Sequence, residues 1–170
     1  MDIYTAKADG SQRTQLTVSS GIDAAPAWSP SGYYLAFISD RSGTPQIYVM
    51  DKYGGMQRRL TFEGRYHDSP VWSPDGKSIA YTTIHDGQYR IGVVDFDGSE
   101  EPQERIITST VPGSHRFPAW SPTGSHIAFT RSGGGYSDIF TINLDDGRVK
   151  RVTNFGDAET VVWSPFFDKK

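Results

Sequence analysis

Four copies of one pentapeptide frame this chain: Pro26-Ala27-Trp28-Ser29-Pro30, Pro70-Val71-Trp72-Ser73-Pro74, Pro118-Ala119-Trp120-Ser121-Pro122 and Val161-Val162-Trp163-Ser164-Pro165. Together they hold all 4 tryptophans. They stand about 45 residues apart, a period that marks an array of like units rather than one unrepeated core.

Each unit reads as four short strands, named a to d by position. Strand a carries the tryptophan and ends at Ser29-Pro30-Ser31-Gly32, Ser73-Pro74-Asp75-Gly76 or Ser121-Pro122-Thr123-Gly124, where proline suits the second and glycine the fourth place of a type I turn. Strand b follows as Tyr34–Ile38, Ser78–Thr82 and His126–Thr130, with alanine at its centre leaving room for a large side chain from a neighbouring sheet. Hairpin turns at Asp40–Gly43, His85–Gly87 and Arg131–Gly133 lead to strand c at Gln46–Met50, Tyr89–Val94 and Asp138–Ile142. Strand d is Arg58–Thr61, Arg105–Thr108 and Arg151–Thr153. Before the first tryptophan, residues 2–6 and Arg13–Thr17 flank an Asp9-Gly10 turn and read as c and d of an earlier unit.

Eighteen glycines and 10 prolines at regular intervals fit many short strands, and nothing reads as a long helix. The hydrophobic share of 36% and charged share of 22% are those of an ordinary folded domain. A net charge of −3 with scattered Lys and Arg disfavours binding to nucleic acid through phosphate contacts. The basic residues of strand d (Arg13, Arg58, Arg59, Arg105, Lys150 and Arg151) read as charge on an exposed edge that discourages sheet-to-sheet pairing. With 0 cysteines there is no disulfide, thiolate chemistry or Cys-ligated zinc. No apolar run is long enough to span a bilayer, and Met1-Asp2-Ile3-Tyr4-Thr5 is not signal-like, so the chain is expected either to stay in the cytoplasm or to begin inside a longer precursor.

The succession Leu-Thr, Pro-Ala-Trp-Ser-Pro-x-Gly, Ile-Ala-Phe and Ile-Tyr-Val-Met-Asp with its glycine turn resembles the TolB-like, or WD40-like PD40, β-propeller repeat over almost the whole chain. The resemblance implies an all-β propeller of four-stranded antiparallel blades, and it implies six or more blades in a closed ring. Here the strands supply a partial blade at 1–18, complete blades at about 22–62, 66–109 and 114–154, and a partial blade at 157–170 that contributes only strand a, at 160–163. The fourth copy departs from the pattern, with Val161 for proline and Phe166-Phe167 where strand b should start. This incomplete ring is expected to be finished by other copies of the chain or by residues outside it, because open ends expose strand edges and aromatics.

In such a meander the d–a and b–c loops share one rim. Asp23, His67 and His115 stand five residues before their tryptophans and Ala158 interrupts the series; Asp68, Arg116 and Glu159 come next. The b–c loops add Asp40, Arg41, His85, Asp86 and Arg131. This rim and the central channel are the expected docking face for a protein or peptide. His67, His115 and Asp23 are also the candidates for holding a divalent cation such as Zn, Mn or Ni, although Ala158 breaks the ring. Trp28, Trp72, Trp120 and Trp163 are expected in the core between blades; His126 is expected as an exposed strand residue.

No G-x-S-x-G elbow, Walker loop or strand-linked G-x-G-x-x-G is present; Gly133-Gly134-Gly135 reads as a hairpin. The leading expectation is a non-catalytic scaffold for protein–protein interaction, without a cofactor, placed by the resemblance in the periplasm or outside the cell. The alternatives are a segment of the gating propeller of a prolyl-oligopeptidase-like serine peptidase, and a metal-dependent polysaccharide lyase propeller using the channel histidines.

Overall fold

The computed structural model describes residues 1–99 and 101–164. The Phe166-Phe167 departure and the remainder of the last partial blade lie outside the described residues.

Three four-stranded antiparallel sheets follow one another, each a simple meander. Blade 1 is β3 (Asp23–Trp28), β4 (Tyr34–Ser39), β5 (Gln46–Asp51) and β6 (Arg58–Arg59); blade 2 is β7 (His67–Trp72), β8 (Ser78–His85), β9 (Gln88–Asp95) and β10 (Glu104–Ile106). Blade 3 is β11 (Ser114–Trp120), β12 (His126–Gly133), β13 (Tyr136–Asn143) and β14 (Val149–Arg151), and the chain opens with the pair β1 (Tyr4–Thr5) and β2 (Thr14–Gln15). Among the described residues these sheets do not close a ring, and no helix is long and apolar enough to cross a membrane. The fifteenth expected strand, at 160–163, does not form there. Past Asp157, which makes an isolated bridge to Ser137, the described chain has no ladder, so the described part of the last partial blade contributes a tryptophan but no strand.

Period-2 alternation on strand b assembles the array. Leu35 and Phe37 pack back on Ile3 and Leu16 of the opening pair, while Ala36 joins Trp72, Ile79 and Tyr81 of blade 2. Blade 2 repeats the arrangement: Ile79 and Tyr81 face backward and Ala80 forward, onto Ile127 and Phe129 of blade 3. Ala128 in turn faces Ala158. Large side chains always face the preceding blade and the alanine receives the following one, so each apolar layer joins two sheets.

The recurring small residues complete the frame. Ser29, Ser73 and Ser121 hydroxyls accept the amides of Tyr34, Ser78 and His126 across the a–b turn at 3.0 Å each. The threonine after each d strand does the same for strand c: Thr17, Thr61, Thr108 and Thr153 accept from Ile3, Ile47, Ile91 and Ile139 at 2.9 to 3.0 Å. A hydroxyl here replaces a ladder carbonyl, which is why β2, β6, β10 and β14 end short of the threonine predicted to close them.

The tryptophans link blades by more than packing. The Nε1 of Trp72 donates to Ala27 O at 2.9 Å, that of Trp120 to Val71 O at 3.2 Å, and that of Trp163 to Ala119 O at 3.0 Å. Each indole thus reaches back to the carbonyl just before the preceding tryptophan. Trp72 is 8% exposed, whereas Trp28 is 50% exposed and Trp163 38%. Of the four tryptophans expected in the core, Trp72 is buried, Trp120 half-buried, and Trp28 and Trp163 exposed; among the described residues Trp28 has no earlier strand a to reach.

Candidate functional site

Every complete strand a bends at the same place. Ala25, Ser69 and Phe117, each followed by proline, have φ of 49°, 53° and 56°, and the pairing register slips between Ala24 and Ala27, Asp68 and Val71, and Arg116 and Ala119. Left-handed backbone before proline is strained, and the bulge it makes adds one residue to the strand. Five residues then span the distance of four. Asp23, His67 and His115 consequently fall on the same face as Trp28, Trp72 and Trp120, toward the preceding unit.

That phase corrects the placement of three expected rim residues. Asp23, His67 and His115 are 1%, 1% and 0% exposed. Burial alone would raise the Asp23 pKa, but donors from Ser39, Thr17, Arg41 and Ser19 outweigh it and hold the carboxyl below its ordinary value. Arg41 Nη2 pairs with Asp23 Oδ2 at 3.0 Å. His67 Nδ1 donates to Pro45 O at 3.3 Å, and burial pushes its pKa down to about 4. His115 takes the opposite tautomer: Nε2 donates to Pro112 O at 3.2 Å, and Nδ1 accepts from Arg90 at 3.4 Å. Burial likewise lowers its pKa to about 4. Among the described residues no three His, Cys, Asp or Glu side chains lie close enough to hold an ion, so His67, His115 and Asp23 do not converge on a metal centre.

The other expected residues divide between loop-holding and open positions. Asp40 accepts from Ile22 N at 2.6 Å, tying the b–c turn to the d–a loop, and Arg41 also donates to Ser39 Oγ and Gln57 Oε1. His85 and Asp86 are exposed at the tip of blade 2, 3.4 Å apart. Arg131 is half-buried over the Phe140 ring, and Glu159 is exposed with its carbonyl accepting from Thr130 Oγ1. Ala158 is buried against Ser137, and His126, expected exposed, is half-buried beside Ser125.

Asp68 and Arg116 sit in a cluster that the sequence reading missed in part. The Tyr66 hydroxyl donates to Asp68 Oδ2 at 3.1 Å, Tyr66 meets Tyr89 edge to face with centroids 5.8 Å apart, and the Arg116 guanidinium lies 3.4 Å from the Tyr89 centroid. Burial, followed by the Asp68 charge, raises the Tyr66 pKa, so the phenol stays a neutral donor. All four side chains are half-buried. Tyr66 precedes β7, and Asp68, Tyr89 and Arg116 stand near the starts of β7, β9 and β11; tyrosine and arginine are side-chain types that often carry protein–protein binding energy. A tyrosine just before the d–a histidine and another opening strand c were the available signals.

A family model described as the TolB beta propeller domain matches residues 1–167. The chain is 44% identical over 50 residues to a protein TolB homolog of Chlorobium luteolum, covering 29% of this chain and 12% of that protein. It is 49% identical over 47 residues to the Tol-Pal system protein TolB of Bordetella pertussis, covering 27% and 11%. The crystal structure of TolB from Acinetobacter baumannii superposes with a TM-score of 0.74 at 29% identity, over 91% of this chain and 38% of that one. The chain thus spans a small part of the curated relatives it matches.

Proposed function

Because the chain belongs to the TolB β-propeller family, we propose that it is a non-catalytic propeller segment that docks a protein or peptide on its loop rim, as part of a Tol-Pal-type assembly in the bacterial periplasm. The observation that carries this reading is the Tyr66-Asp68-Tyr89-Arg116 cluster, braced across blades 2 and 3 by ring contacts and a hydrogen bond. His85, Asp86, Arg131 and Glu159 extend the same rim.

Completion of the ring belongs to this proposal. Trp28, Ile22 and Pro26 are exposed toward the N-terminal end of the array, and Phe155, Val162 and Trp163 toward its C-terminal end, a distribution that suits burial by further blades or by further copies of the chain. The lyase alternative loses its support because the channel histidines face into the blades. The peptidase alternative depends on a hydrolase domain outside this chain.

The test is binding to the Pal component of the same source, measured by surface plasmon resonance on a protein whose ring is complete. Tyr89→Ala with Arg116→Ala is expected to weaken binding at least tenfold while the thermal midpoint changes little. Unaltered affinity in that variant would refute the rim as the docking face.

A further inference from the structure

Blades 1 and 3 each lay one of their own arginines over the aromatic pair formed by strands b and c. In blade 1 the Arg41 guanidinium stands 5.5 Å from the Phe37 centroid and 5.1 Å from that of Tyr48, and it donates to Asp23 Oδ2 at 3.0 Å and Gln57 Oε1 at 2.6 Å. In blade 3 Arg131, which stands at the register of Ser39 rather than of Arg41, lies 4.9 Å from the Phe140 centroid. By strand register, blade 2 places His67 where blade 1 has Asp23, Glu104 where it has Gln57, Tyr81 for Phe37 and Gly92 for Tyr48. His85 takes the place of Arg41, but it turns outward to Asp86.

Blade 2 therefore keeps both acceptors and the ring yet contributes no cation between them. Because a carbonyl only accepts, His67 carries its proton on Nδ1, toward Pro45 O, and Nε2 presents a bare lone pair. Nε2 lies 3.9 Å from Glu104 Oε2, beyond hydrogen-bond reach, in a side chain 1% exposed. Glu104 is itself fixed: Oε2 accepts from the Tyr81 hydroxyl at 3.0 Å, and Oε1 accepts from the amides of Phe62 and Glu63 at 2.6 and 3.2 Å. Two acceptors facing each other without a donor repel.

Beside them opens a cavity of about 180 Å³ whose lining includes His67, Tyr81, Thr83, Glu104, Gly64 and Arg105. That is room for more than a single water, whose share of liquid volume is about 30 Å³. Two cations of the chain stand near it: the Arg105 guanidinium is paired with Asp95 at 2.8 Å, and Arg59, whose charge reaches His67, donates to Thr61 O and lies over the Phe62 ring.

We infer that blade 2 carries a pocket for a guanidinium group supplied from outside the chain, which donates to Glu104 Oε2 and His67 Nε2 from the cavity that they line with Tyr81, as Arg41 donates to its two acceptors in blade 1. A planar fork of N–H donors reaches two separated acceptors while its face stacks on an aromatic ring, which a compact ammonium does not do. The group is the side chain of a peptide arginine or a small free guanidinium compound. The pocket stands apart from the Tyr66-Arg116 cluster and does not depend on the docking reading.

The test follows the His67 ring signals of ¹⁵N-histidine-labelled protein during titration with methylguanidinium and, separately, with its neutral isostere methylurea. Methylguanidinium is expected to move the His67 signals saturably and methylurea to leave them in place, with Glu104→Gln weakening the response at least tenfold. His85→Arg, which supplies the cation from within as Arg41 does, is expected to abolish the response and raise the thermal midpoint. A Gly-Arg-Gly peptide binding more tightly than methylguanidinium identifies a peptide arginine as the occupant; weaker binding identifies a small free compound. Equal responses to methylguanidinium and methylurea, or an undiminished response in the His85→Arg protein, would overturn the pocket.

Discussion

At the scale of single residues, the two buried histidines make this fold sensitive to acid in a defined window. His67 and His115 each have a folded pKa near 4, against an ordinary value of 6.5. The unfolded chain therefore binds more protons than the native one between those values, and stability falls as pH drops from about 6.5 toward 4. The neighbouring charges of Arg59 at His67, and of Arg90 and Arg131 at His115, act in the same direction. A plot of thermal midpoint against pH should slope through this range, and His115→Gln should flatten it. Asp23, whose pKa is lowered, contributes its own loss only at more acid pH. The sequence disclosed that Asp23, His67 and His115 occupy one register, but not that they turn inward. Strict alternation from the tryptophan assigns them to the opposite face, and the extra residue of the bulge, signalled only by the following proline, reverses that assignment.

At the scale of the strand and blade, the threonine hydroxyls and one glycine are the sensitive points. Thr61→Val keeps the volume but leaves the buried Ile47 amide without an acceptor, and should cost roughly 1–3 kcal/mol in urea unfolding. The Ile47 amide should also exchange faster with solvent. Gly92→Ala would set a Cβ 2.5 Å from the Tyr81 ring and is expected to destabilise by roughly 1–3 kcal/mol through overpacking. The strands themselves were legible because turn chemistry punctuates them: Ser-Pro-x-Gly and the glycine hairpins bound the b and c strands to within a few residues. The short d strands were overextended because a hydroxyl that ends a ladder reads, in sequence, like one more β-branched strand residue. Arg90 and Glu104 escaped notice because each differs from its counterparts in the other blades, and a reading built on what repeats passes over what does not.

At the scale of the whole molecule, interblade bonding and exposure vary together along the array. Trp72→Phe removes the donor to Ala27 O and should cost about 1 kcal/mol beyond the lost ring area, whereas Trp28→Phe, with no such bond, should cost little. If copies complete the ring, sedimentation equilibrium should show the average mass rising with concentration, and Trp28→Glu should suppress the rise. The propeller class was readable because the turn chemistry divides each tryptophan period into four short strands, a pattern that resembles a known propeller repeat. The missing strand at 160–163 was not, because a ladder needs a partner strand b, and sequence identity in one strand cannot supply its neighbour. The backward reach of each indole also gives the array a direction, like a row of hooks all opening the same way. Two like ends cannot engage, since neither pairs a hook with an eye. If copies complete the ring, association that repeats this bond runs head to tail, closing into a circle or lengthening into a fibre, because a two-fold symmetric pair would set like ends together and could not form it.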